Sequence, residues 1–368
     1  MGHRMGAVPT PPAIAFFVTP HGFGHAARAA AVMGELRRLE PKIELLVFTT
    51  VPKWFFEDSR VGPFDYFPTR TDVGLTQKGP FEEDLDLTVQ ALVEFWDDFE
   101  RAVADIARLL ETHRARLVVC DIAPLGIAAA RRAGLPSVLI ENFTWDWIYR
   151  SFLGAEPRLE EFALRNEELN AAAHLRFQVE PVCHSIEGST PVASVSREPR
   201  QGRAEMRRSI GLRAGDWRKL VLLTMGGLGW SHADASDAPA DFYSVFLGGV
   251  DSLERRGASL VLPDRSPLYP PDLIRAADLV VGKLGYSTVA ECVRGGTPLR
   301  YLERPHFPES PVLAAYADRH LAGRAIDCAL FDGGDWVEIV QGALDSAGPR
   351  KRRANGARSI ALRLVERL

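Results

Sequence analysis

Short apolar runs, each closed by glycine or proline and followed by a helical spacing of apolar residues, recur along the chain and predict alternating strands and helices. The first run, Ala13–Thr19, stops at Pro20 and the turn His21-Gly22-Phe23-Gly24; small and apolar residues then predict a helix over His25–Leu39. Ile43–Phe48 predicts a second strand. From Leu87 to His113 apolar residues return every three or four positions, Val89, Leu92, Val93, Phe95, Trp96, Phe99, Val103, Ile106 and Leu110 among them, which predicts one long helix. Strands are expected at Leu117–Cys120, Ser137–Ile140 and Leu175–Val179, with helices at Leu125–Ala133 and Glu160–Ala173.

Residues Pro181 to Lys219 are polar, basic and broken by proline and glycine, so they read as a linker. The same rhythm then restarts, with strands at Leu220–Thr224, Ser259–Leu262, Ala277–Gly282 and Pro298–Leu302. Helices are expected at Ser287–Arg294, from about Pro311, from about Trp336, and over Arg352–Leu368. The expectation is an α/β chain of two Rossmann-like, doubly wound domains facing across a cleft. Residues 1–12 are a leader, 13–192 and 193–350 the two domains, and 351–368 a closing helix.

Composition narrows the function. The 368 residues are 46% hydrophobic and 25% charged, enough for two cores, and the net charge of −4 calls for neither nucleic acid nor an anionic membrane. Cys120, Cys183, Cys292 and Cys328 show no CxxC pair or metal-ligand spacing and fit a reducing cytoplasm. No apolar run approaches the ~20 residues that span a bilayer. Met1–Pro12 lacks a signal-peptide core, and Gly6 stands where a myristoylation signal wants serine or threonine.

In open α/β sheets ligands bind beyond the carboxyl ends of strands. Three such turns are rich in glycine: Gly22 to His25, Met225-Gly226-Gly227, and Gly282 to Thr288. The third leads through Gly285 and Tyr286 into a helix opening on Ser287 and Thr288, a ready anion site to which Lys283 can add charge. Glu291, one turn on, can accept both hydroxyls of a ribose. Thr288-x-x-Glu291 is equally a capping box. His25, beside two glycines at a strand end, is a candidate general base, although a lone histidine is more often structural. Asn142, Phe143, Trp145, Asp146 and Trp147 follow another strand end; the rings either pack a core or form an acceptor platform, and Asp146 is the reserve base. Asp84-Leu85-Asp86 reads as a solvated charge run. No GxxxxGK[ST] loop is present.

Ala277–Glu291, continuing to Pro298, resembles the donor signature of GT-B glycosyltransferases, including the peptidoglycan N-acetylglucosaminyl transferase. Gly22-Phe-Gly-His25-Ala-Ala-Arg28, Asn142-Phe-Thr-Trp-Asp146, Gly282–Thr288 and Phe307-Pro-Glu309-Ser-Pro311 are more similar still to the glycosyltransferase-like N-terminal region of plant L-arabinokinases and its stand-alone bacterial relatives. The resemblance implies donor contacts from Ser287, Thr288, Glu291 and Glu309, with inversion and no obligatory metal or other cofactor. The donor it implies is a nucleoside diphosphate sugar of UDP or dTDP, with a small hydroxyl-bearing acceptor as the second partner. Many GT-B enzymes carry Asp/Glu-Gln at Glu309-Ser310; serine here leaves the sugar open. The other readings are an inactive nucleotide-sugar-binding module, and a different nucleotide-sugar reaction on the same fold, such as epimerisation or non-glycosidic coupling.

Overall fold

Apolar runs of four to seven residues become parallel strands because both sheet faces are covered by helices, which is what near-continuous Val, Ile, Leu and Phe demand. The computed structural model describes residues 11–79, 82–225, 241–304, 306–327, 336–345 and 351–368.

The first half runs β1 (Ala13–Val18), α1 (Phe23–Leu39), β2 (Glu44–Thr49), α2 (Lys53–Asp58) and β3 (Asp65–Pro68). It continues through the antiparallel pair β4 (Gln77–Gly79) and β5 (Glu82–Glu83), then α3 (Leu85–Asp97), α4 (Phe99–Thr112), β6 (Ala115–Asp121) and α5 (Pro124–Arg132). β7 (Ser137–Glu141), α6 (Trp145–Arg150), α7 (Leu159–Ala171), β8 (Leu175–Val179) and β9 (Thr190–Val192) complete it. The sheet order is β3-β2-β1-β6-β7-β8-β9, parallel throughout.

The second half has α8 (Arg203–Ser209), β10 (Lys219–Thr224), β11 (Phe242–Leu247), β12 (Glu254–Arg256), β13 (Ser259–Leu262), α9 (Pro270–Ala276), β14 (Leu279–Lys283), α10 (Tyr286–Gly295), β15 (Leu299–Leu302), α11 (Ser310–Leu321) and β16 (Arg324–Ile326). Its order is β12-β13-β11-β10-β14-β15-β16, with only the edge strand β12 antiparallel. Helix Trp336–Asp345 packs near β14. The closing helix Ala357–Val365 returns to the first half and lies along α1.

Strand order reverses between β1 and β6 and between β10 and β14, so each sheet opens a crevice at its switch point. The turns after β1 and β14 lie at these crevices.

The structure departs from the sequence expectation at short elements that expectation does not name, such as β3, β12, β16 and α9, and in three larger features. The single helix expected over Leu87–His113 is two, α3 and α4, broken at Asp98, whose carboxylate accepts from Arg101 Nε at 2.6 Å. One irregular residue leaves the buried series Phe95, Phe99, Val103, Ile106 intact, so periodicity cannot reveal it; Val93 is 45% exposed and outside the series. Residues Pro181–Lys219 are more than a linker, since they hold the sheet edge β9 and helix α8. Strand β11, buried on both faces and closed by Gly248-Gly249, follows the stretch 226–240, outside the described residues, and is missing from the sequence expectation. No helix among the described residues is long and apolar enough to cross a membrane.

Candidate functional site

Gly22 ends β1's turn at φ 73°, a left-handed conformation that favours glycine, and lets α1 start immediately at Phe23. His25 therefore sits in the first turn of α1 at the switch point. β6 pairs with β1 so that Asp121 stands opposite Val18, which delivers its carboxylate to the same place. His25 Nδ1 lies 2.7 Å from Asp121 Oδ1, leaving Nε2 as the nitrogen free to take a proton. Burial lowers the His25 pKa, with Arg28 adding to the effect against the raising influence of Asp121.

Asp121 is shared. Arg28, one turn after His25 and 1% exposed, donates from Nε to Asp121 Oδ2 at 2.7 Å and from Nη2 to Oδ1 at 2.6 Å. Burial would raise the Asp121 carboxyl, but the Arg28 charge and the hydrogen bonds from Arg28 and His25 outweigh it and hold it low. Arg28 Nη1 also donates to Asn142 Oδ1 at 2.7 Å, and Asn142 Nδ2 donates across the cleft to Glu309 Oε1 at 2.7 Å. The guanidinium rests 4.9 Å from the centre of the Tyr286 ring. A continuous polar chain thus joins the candidate base of one half to a carboxylate of the other.

On the facing wall, α10 opens at Gly285 with no side-chain cap, so its first amides have no intrahelical acceptor. The capping-box reading fails here, because Thr288 is already inside the helix and Glu291 turns elsewhere. A Cβ on Gly24 would stand 3.8 Å from Ser287 Oγ, so the starts of α1 and α10 face each other closely. Both helix dipoles favour an anion between them. Gly282 has a packing role: a Cβ there would meet the Thr224 backbone oxygen at 2.0 Å.

Two cavities meet at this helix start. One, of about 450 Å³, is lined by Gly22, Gly24, His25, Lys283, Gly285 and Tyr286, and further by Phe143, Arg304 and Glu309. The other, of about 330 Å³, is lined by Trp54, Phe55, Arg197, Tyr269 and Glu291. Ser287 and Thr288 line both. Glu291 is already engaged, since Arg197 Nε donates to its Oε1 at 2.9 Å; burial raises its pKa despite Arg197. Lys283 is lowered to about 8 by burial and then by Arg304. His21 is lowered to about 3, first by burial and then by the nearby cations.

The remaining candidates fall elsewhere. Asp146 lines neither cavity; it accepts from Asn170 Nδ2 at 2.9 Å and faces Arg150 at 3.6 Å. Trp145 is 1% exposed and Trp147 packs on the same core, so neither ring offers a free stacking face at the cleft. Asn142 is fully buried with both ends of its amide used, while Phe143 alone of this stretch reaches the cavity wall. Gly226 and Gly227 lie outside the described residues, as does Cys328. Asp84 caps α3 through Leu87 N, and Asp86 pairs with Arg158 at 2.5 Å. Asp121 and Arg304 escaped the sequence reading; the one trace of Asp121 is an acid directly after the buried run Leu117–Cys120.

No family model matches the chain. It is 29% identical over 343 residues to L-arabinokinase of Arabidopsis thaliana, covering 90% of this chain and 32% of that protein. The chain thus spans about a third of the length of that relative. In three dimensions it is similar to the glycotransferase of kitacinnamycin, with a TM-score of 0.62, 16% identity, and 98% and 100% of the two chains covered. It is also similar to CalG4, the calicheamicin glycosyltransferase, with a TM-score of 0.58, 14% identity, and 98% and 94% covered. With two parallel sheets opening onto one cleft, the chain has the GT-B fold of glycosyltransferases.

Proposed function

We propose that the protein transfers a glycosyl group from a nucleoside diphosphate sugar, of UDP or dTDP, to the hydroxyl of a small molecule. The observation that carries this reading is the His25–Asp121 pair, at 2.7 Å, on the cavity wall facing an uncapped helix start. The acceptor hydroxyl gives its proton to His25 Nε2 as its oxygen bonds to the anomeric carbon. The bond from that carbon to the phosphate oxygen breaks on the opposite face, which inverts the centre. Charge growing on the diphosphate meets the amides of α10 with Ser287 and Thr288, donors already in place before the reaction. The nucleoside extends into the second cavity, where Glu291 keeps one oxygen for a ribose hydroxyl.

A binding-only module is the second reading, favoured by one observation: Arg28 takes both oxygens of Asp121 and weakens its pull on His25. Calorimetry with UDP- and dTDP-sugars, followed by assay of nucleotide release with an acceptor panel, tests both. Binding with release that disappears in His25→Ala supports transfer; binding without release for every acceptor supports the module. Absence of binding by any nucleoside diphosphate rejects the two together.

A further inference from the structure

The first cavity holds two cations whose counter-charges are incomplete. β14 and β15 pair in parallel with Lys283 opposite Leu302, so Lys283 and Arg304 leave neighbouring strand ends together. Both line the first cavity and neither lines the second. The Arg304 side chain is 8% exposed and, among the described residues, makes one ion pair, Nη2 to Glu83 Oε1 at 3.1 Å. Its Nε is buried with no acceptor among the described residues. Lys283 forms no ion pair among the described residues. Glu309, the nearby carboxylate whose charge acts on both, spends Oε1 on Asn142, and burial raises its pKa. Phe307, 3.9 Å beneath the Arg304 guanidinium, fixes that group in the wall.

With one carboxylate, Glu83, paired to Arg304 and none to Lys283 among the described residues, the two side chains leave positive charge on the cavity wall that a ligand anion would neutralise. The diphosphate does not meet this need on the proposed reading, because it lies at Ser287 and Thr288, where the two cavities join. We propose that Lys283 and Arg304 form a second anion site, for a carboxylate or phosphate carried by the transferred sugar or by its acceptor. The proposal rests on the nucleotide-sugar reading above and adds a substrate class to it: at least one of the two substrates is acidic beyond the diphosphate. Guanidinium suits this role, since its planar fork matches a carboxylate or phosphate better than an ammonium alone does.

Calorimetry on the full chain would measure Kd for UDP, UDP-glucose and UDP-glucuronate, then for free glucuronate and glucose 1-phosphate with UDP saturating. Tighter binding of UDP-glucuronate than of UDP-glucose, by about tenfold, puts the charge on the sugar; binding of a free anion to UDP-filled protein puts it on the acceptor. Either preference should vanish in Arg304→Gln and fall in Lys283→Met. The Kd for UDP in Arg304→Gln should stay at the wild-type value, which also reports that the variant is folded. UDP binding with no preference for an anion in either arm overturns the second anion site and leaves the donor reading standing. A preference that survives both substitutions overturns it as well. If neither UDP nor dTDP binds, the donor reading falls and takes this inference with it.

Discussion

The two walls of the cleft are built on opposite principles. On the wall contributed by the first sheet, the functional groups are already paired: His25 with Asp121, Asp121 with Arg28, Arg28 with Asn142. On the wall contributed by the second sheet, the start of α10 is uncapped and Arg304 Nε has no acceptor among the described residues. An uncapped helix start and the Lys283 ammonium, which has no ion pair among the described residues, both favour an anion in the cavity they line, so the second wall is built to be completed from outside. The first is built to hold one base in one orientation. Glu291 is the exception on the second wall, tied to Arg197 before any ligand arrives. The contrast separates two roles, proton transfer on one side and anion binding on the other, and each can be attacked alone.

The heaviest blow to the paired wall is Asp121→Ala. It strands Arg28, 1% exposed, without its carboxylate, and an uncompensated buried charge costs about 3–5 kcal/mol. Urea unfolding would measure this loss, and a variant as stable as the parent would show that the ion pair does not hold the wall together. His25→Ala removes no counter-ion, so the fold should survive while turnover drops by about 10²–10⁴-fold. Donor Kd should hardly move, and equal loss of binding and turnover would reject the general-base role.

The open wall should respond in binding. Ser287→Ala and Thr288→Ala each remove one hydroxyl donor at the meeting point of the cavities, with an expected loss of about 5–10-fold in donor affinity. Calorimetry with UDP would check it; unchanged affinity in both variants would move the diphosphate away from α10. The walls should also part in their pH dependence. Burial and Arg28 hold the His25 pKa below its ordinary 6.5, so kcat/KM should stay level down to and below that pH before falling. Arg28→Gln removes a lowering influence and should move this acid limb to higher pH. Lys283, lowered to about 8, loses its charge as pH rises through that value, so affinity for an anionic substrate should weaken on the alkaline side alone. A binding profile flat from pH 7 to 9 would remove Lys283 from the anion site.

The same contrast sets what could be read from sequence. The open wall was legible because its elements are consecutive: a strand, two glycines, and a helix opening on Ser287 and Thr288 within one short segment. The paired wall was legible only at His25 and Asn142, each just past a strand end. Asp121 lies 96 residues from His25, and the two meet because β6 pairs with β1, a crossover that no local spacing announces. Arg304 has the same difficulty, since its partner Glu83 is 221 residues distant. The aromatic stretch after β7 misled for a different reason. Apolar rings at a strand end suit a core and a platform equally, and only burial distinguishes them: Trp145 faces the interior and Phe143 touches the cavity. The alternation was clear in the apolar central strands and was lost at the short edge strands β3, β9, β12 and β16, which carry polar residues or proline, and at β11, where Tyr243 and Ser244 interrupt the apolar run.

The smallest expected effect lies just behind the paired wall, at Asp72. This carboxyl is 2% exposed and accepts from Thr19 Oγ1 at 2.7 Å. Burial raises its pKa from 3.8 to about 7, against the lowering influence of the Thr19 hydroxyl and the Trp145 ring N–H. Between those values the folded chain keeps a proton that the unfolded chain has released. Stability contributed by this group is therefore fully present below about pH 4, declines as pH rises to about 7, and is flat above. Asp72→Asn keeps an oxygen for Thr19 and cannot ionise, so it should match the parent near pH 4 and exceed it at pH 8. The gain is limited because Thr19 and Trp145 donate more strongly to the ionised carboxylate present at pH 8 than to an amide oxygen. A net effect of about 1 kcal/mol, or roughly 2 °C in Tm at pH 8, is expected. Thermal scans of both proteins at the two pH values decide it. A Tm difference that is the same at pH 4 and pH 8 would mean that Asp72 does not titrate in this range, and that the paired wall tolerates an ionised carboxylate behind it.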